Sequence, residues 1–196
     1  ALLVVNVQND FCPGGALAVT DGDAVVAPVN ALAPRFPLVV ATRDWHPPDH
    51  GSFAGVDVPT WSGVDPPGIW PVHCVAGTEG AQLHPRLDLD AIDVVLDKGV
   101  DRDNQGYSAF QSTGLAEALT ARGVDRVTVA GLATDYCVKE SVLDALRAGF
   151  DVRVVTDAVR AVDVEAGDGD RALVAMRDAG ARLVTASEAD VRGGEG

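Results

Sequence analysis

Cys137 lies in the stretch GLATDYCV (131–138), where a short apolar run gives way to an amphipathic one. A strand ending there and a helix starting at Thr134 or Asp135, either of which suits an N-cap, would put the thiol in the first helical turn. A thiol at that end of a helix feels the positive pole and has free backbone N–H groups nearby. This favours the thiolate and offers a cradle for an oxyanion, so the chemistry would be nucleophilic attack on a carbonyl. The alternative is a small buried helix residue. Lys98, in Asp97-Lys98-Gly99, closes another apolar run, and only Lys98 and Lys139 are lysines among 15 basic residues. Its charge would point into the same face as Cys137, or else open a loop. Asn6 interrupts the apolar run VVNV. A polar group there must find a partner or face a cavity.

A second group is Asp44-Trp45-His46, followed by His50 and by Trp70-Pro71-Val72-His73. On an extended segment Asp44 and His46 share one side. A carboxylate with imidazoles suits a divalent ion such as zinc, iron or manganese. The competing reading is loop histidines that cap turns or stack on tryptophan. His84, in Leu83-His84-Pro85, has no such companions and reads as structural.

Apolar runs at 2–7, 38–42, 92–96, 126–130, 152–156 and 182–184 read as buried strands. Amphipathic stretches at 21–35, 114–122, 135–148 and 164–179 read as helices, with Gly149 and Gly180 at two C-terminal ends. This alternation predicts a single α/β domain over 1–196, a parallel sheet with helices on both faces. The stretch from about 43 to 90 breaks the pattern. It holds seven of the 11 prolines, all four histidines and all three tryptophans. It leaves the carboxyl end of the second strand, the side where ligands sit in open α/β sheets. The tail RGGEG at 192–196 reads as frayed.

Composition narrows the partners. The net charge of −14 leaves no basic stripe for nucleic acid and disfavours anionic membranes, so a small neutral molecule is the expected ligand. No apolar run reaches the length of a membrane span. Cys12, Cys74 and Cys137 match neither a zinc ribbon nor a CxxC motif, and reduced thiols are expected. The chain opens on an apolar strand with no room for a signal peptide, and a cytoplasmic protein is expected. Charge and composition do not set the oligomeric state.

The blocks VVNVQNDFCPGGALAV, ATRDWHPPDHGSF, IWPVHCVAGTEGAQLHP, LDKG and VAGLATDYCVKESVLDA occur in order from about residue 4 to 145. Together they resemble the nicotinamidase (pyrazinamidase) branch of the isochorismatase-like cysteine hydrolases. The metal block favours this branch over members that keep only the Cys and Lys blocks. The resemblance implies a three-layer α/β/α fold, with a six-stranded parallel sheet in the order 3-2-1-4-5-6. It implies conversion of nicotinamide and pyrazinamide to the corresponding acid and ammonia through a thioacyl-enzyme. Cys137 corresponds to the nucleophile and Lys98 to the triad lysine. The resemblance also implies a cis peptide between Leu132 and Ala133 and an oxyanion hole formed by the amides of Ala133 and Cys137. Asp44, His46 and His73 correspond to ligands of one divalent ion, zinc first and iron or manganese otherwise, with His50 a ligand in some members only. Phe11 and Trp70 match aromatic pocket walls, and Tyr136 a pocket position that varies. The chain departs from the pattern at position 6, where the triad aspartate belongs and Asn6 stands. An amide carries no proton. The resemblance therefore implies impaired turnover, by the ~10²–10⁴-fold typical of a lost proton carrier. An engineered exchange, a natural ligand-binding homologue without turnover, a natural enzyme with another proton path, and a hydrolase of another small amide all stay open.

Overall fold

The computed structural model describes residues 1–63 and 65–189. The tail at 192–196 lies outside them. Six strands form one sheet: β1 (Leu2–Val5), β2 (Val39–Asp44), β3 (Val94–Lys98), β4 (Arg126–Leu132), β5 (Asp151–Arg160) and β6 (Arg182–Val184). Every neighbouring pair is parallel, in the order β3-β2-β1-β4-β5-β6. This is the expected doubly wound order.

Both faces of the sheet are covered. Leu2 and Val4 point to one side and pack with Val26, Val29 and Leu32 of helix α1 (Val26–Leu32). Leu3 and Val5 point to the other. There they meet α2 (Leu115–Ala121), α3 (Lys139–Arg147) and α4 (Asp168–Asp178) through Leu119, Val142 and Met176. A run buried on both faces is what a central parallel strand needs.

Several boundaries differ from expectation. β1 ends at Val5 because Asn6 turns left-handed, with φ 48°, although its N–H still reaches the Thr42 carbonyl. The helix expected at 21–35 is α-helical only over Val26–Leu32, with 3₁₀ turns at Gly22–Val25 and Ala33–Arg35. Pro34 has no N–H to continue the α pattern. β3 runs two residues later than expected, because Val94–Lys98 is the stretch in register with β2. α4 starts at Asp168, after Gly167 at φ 86°. Before α3 the chain forms a π turn over Thr134–Val138, and neither Thr134 nor Asp135 caps it.

From 45 to 88 the described residues form no helix and no strand ladder. Single bridges join His46 to Val75 and Phe53 to Trp70. Asp10 anchors the segment, its Oδ2 accepting the Cys74 N–H at 2.7 Å. Among the described residues no helix is long and apolar enough to cross a membrane.

Candidate active site

The strand ends of β1, β2, β3 and β4 converge on one buried cluster. Gly131, at φ 116°, lies so close to the Val5 backbone that any side chain would collide with it. That close approach sets the end of β4 beside the end of β1. Asp44 and Lys98 are register partners across β2 and β3, so both side chains rise on the same face.

Lys98 is buried and fully used. Its Nζ donates to Asp44 Oδ1 at 2.6 Å, to the Gly106 carbonyl at 2.9 Å and to Cys137 Sγ at 3.4 Å. An ammonium has three donors. Burial alone would lower its pKa, but Asp44 and Cys137 outweigh this and hold it above its ordinary value. Asp44 is held below the carboxylate range, its burial overcome chiefly by Lys98. Gln8 fixes the Asp44 backbone on both sides, donating to its carbonyl at 2.9 Å and accepting its N–H at 2.8 Å.

The thiol does not match the low pKa expected from its helix position. Burial pushes Cys137 up to about 12, and Asp44 adds to the rise, against the pull of Lys98. Desolvation penalises the thiolate more than these groups repay. Cys12 is raised to about 11, and Cys74 is pushed well above its usual range, both by burial. All three cysteines are free thiols.

Asp44, His46 and His73 offer one ligand atom each, all within 4.8 Å of one another and all buried. His46 Nδ1 lies 2.7 Å from the Gly99 carbonyl and His73 Nδ1 lies 2.8 Å from the Pro71 carbonyl. Such contacts take the ring proton on Nδ1 and leave Nε2 as the free lone pair, the arrangement found behind metal-bound histidines. Gly99 has no side chain because one would run into the His46 ring. Burial lowers the pKa of both rings, His46 to about 3, so both are neutral donors near pH 7. The three side chains fit a divalent ion. His50 does not join them. Its Nδ1 faces Ser52 Oγ at 2.7 Å and its Nε2 the Asn104 carbonyl at 2.9 Å, so it stacks on His46 with no lone pair to give.

Phe11, Trp70, Ala133, Tyr136 and Cys137 line one small cavity with Asp44 and His73. The peptide between Leu132 and Ala133 is cis. Leu17, Tyr107 and Val162 complete the wall and were not singled out from sequence. Trp70 Nε1 donates to the Tyr107 hydroxyl at 2.8 Å, which donates to Asp65 Oδ2 at 2.8 Å. Trp70 meets Tyr136 edge-on, with ring centroids 4.9 Å apart. Asn6 stands behind this cavity, fully buried, its Nδ2 on Asp44 Oδ2 at 3.1 Å. His84 only closes a turn, accepting the Arg86 N–H at 3.2 Å.

A buried thiol, a lysine and a metal-fitting triad meet at the carboxyl ends of a parallel sheet, the arrangement of a cysteine-hydrolase type of site. The isochorismatase domain profile matches residues 1–188, and the chain belongs to that family. It is 46% identical to the nicotinamidase of Escherichia coli K12, over 96% of this chain and 95% of that protein. The structure superposes on pyrazinamidase of Pyrococcus horikoshii in complex with zinc with a TM-score of 0.82. That pair is 41% identical, over 94% of this chain and 97% of the other. It also superposes on L. infantum PnC1 in complex with nicotinate with a TM-score of 0.85 and 36% identity, over 95% and 92% of the two chains.

Proposed function

We propose that this protein is a nicotinamidase, a cysteine amidohydrolase that converts nicotinamide, and pyrazinamide, to the acid and ammonia. The observation that carries the reading is the 3.4 Å contact between Lys98 and Cys137, whose thiol lines the same cavity as Asp44 and His73. The relatives named nicotinamidase and pyrazinamidase support it. Zinc is the ion we assign to Asp44, His46 and His73, on the donor set and on the zinc complex of the P. horikoshii relative. Held by those residues, the ion would supply a Lewis-acid contact for the pyridine nitrogen.

The chain's own residues do the rest. Phe11, Trp70 and Tyr136 hold the ring and exclude water. Cys137 Sγ attacks the carboxamide carbon, and the amides of Ala133 and Cys137 receive the oxyanion. Lys98 stabilises the sulfur anion as it forms. The proton given up by the thiol leaves with the amine as ammonia, and water then releases the acid from the thioacyl-enzyme. Asn6 cannot carry that proton, so turnover is slow. A cytoplasmic role in recycling nicotinamide fits the reduced thiols.

Zinc-loaded protein incubated with nicotinamide should release ammonia and nicotinate, and Cys137→Ala should release neither. Nicotinamide binding without ammonia, in both the parent and Asn6→Asp, would establish a binding module instead.

A further inference from the structure

Lys98 is a fully buried ammonium, so a carboxylate must meet its charge. Position 6 offers only a neutral amide. Among the described residues the carboxylate on Lys98 is Asp44, at 2.6 Å, and strand register puts it there. The other oxygen, Oδ2, accepts Asn6 Nδ2 at 3.1 Å and lies 3.8 Å from His46 Nε2. The direction of the amide is set by Thr42, whose Oγ1 donates to Asn6 Oδ1 at 3.1 Å. A carboxylate at position 6 would set oxygen against oxygen at Asp44.

We propose that Asp44 is a shared carboxylate. Oδ1 is the charge partner of Lys98 in place of an acid at position 6, and Oδ2 is turned to the metal group. Asn6 is the positioning residue that maintains this division. The proposal rests on the metal and thiol reading given above. It makes the two halves of the site interdependent: what Lys98 takes from Asp44 is withheld from the ion, and the coupling is reciprocal.

A carboxylate swap tests it in metal-free protein. Asp44→Asn strips Lys98 of its partner and lowers Tm by about 6 °C or more. Adding Asn6→Asp to that variant returns a carboxylate to Lys98 and restores at least half of the loss. An unchanged Tm for Asp44→Asn, or a swap no more stable than the single variant, overturns the proposal. Should Asp44→Asn not fold, zinc alone is the probe, with affinity measured by chelator competition. Lys98→Met tightens zinc about tenfold or more in the parent, and less than about threefold in an Asn6→Asp background, where the introduced carboxylate already holds Lys98. Equal tightening in both backgrounds is mere proximity of charges and rejects the sharing. Neither readout needs turnover. Rescue by the swap, with no ammonia released by zinc-loaded parent or Asn6→Asp protein, would sink the proposed function and keep the shared carboxylate, and the converse result would do the reverse.

Discussion

Asn6 donates to Asp44, the carboxylate that meets Lys98 among the described residues, so its replacement changes the electrostatics of the thiol without opening a hole. Asn6→Asp introduces a titratable group where the amide now meets Asp44. In zinc-loaded protein kcat should rise by ~10² or more while KM stays within a few-fold, because the ring walls and ion supply binding. Unchanged kcat would mean that the proton travels another way. A second expectation follows from the Cys137 thiol at about 12. In metal-free protein its alkylation should climb roughly tenfold per pH unit from 7 to 10 without a plateau, since the thiolate fraction still grows throughout. A plateau below pH 8 would show a preformed thiolate. At this scale the sequence was informative where residue type alone implies chemistry: Cys137, Lys98, Asp44, His46 and His73 all meet in one cluster. It was silent on who pairs with whom. Asp44 and Lys98 lie 54 residues apart, and their contact is a property of β2–β3 register. It was also silent on acidity, because desolvation is set by the packed surroundings and not by the helix position of Cys137.

Elements position these residues through their ends. Asp135 was a candidate cap from sequence, but its carboxylate instead accepts the N–H groups of Val162 and Asp163 at 3.0 and 2.8 Å. It thereby ties the π turn that carries Cys137 to the loop after β5, whose Val162 lines the cavity. Asp135→Ala leaves two N–H groups without their acceptor and should lower stability by ~2–4 kcal/mol. The Val162 wall should loosen as well, so KM should rise more than kcat falls. Asp135→Asn keeps one acceptor oxygen and should fall between. Equal urea midpoints for all three proteins would refute the tie. The strand–helix alternation and strand order were legible because both sheet faces are buried and the runs are continuously apolar. Tyr107 was not, because the stretch from 99 to 113 has no period to read, and its wall position depends on the bond from Trp70. The boundaries moved where a left-handed residue bounds an element, as at Asn6 after β1 and Gly167 before α4.

At the scale of the whole molecule two charge effects oppose each other when the pH falls. The net charge of −14 shrinks, which relieves repulsion and favours the compact state. The buried histidines act the other way. His46 is lowered from 6.5 to about 3, and His50 and His73 are lowered too, in each case mainly by burial. Below pH 6.5 the unfolded chain therefore binds more protons than the folded one, so stability rises with pH across that window and is lost on acidification towards 3. Surface charges are screened beyond ~8 Å at physiological salt, whereas buried groups are not, so the histidine effect should win. The Tm of metal-free protein in 0.15 M salt, a screening length of about 8 Å, should fall steadily below pH 6.5. Zinc should raise Tm across this window. It binds neutral imidazoles, and burial keeps these rings neutral well below 6.5 in the folded protein, so the Tm gain on adding zinc should change little from pH 7 to pH 5. His73→Ala removes one ligand and one buried ring, so both the zinc gain and part of the acid slope should diminish together. If the parent Tm were flat from pH 7 to 5, or the zinc gain collapsed between pH 7 and pH 5, these imidazoles would not be buried and held neutral.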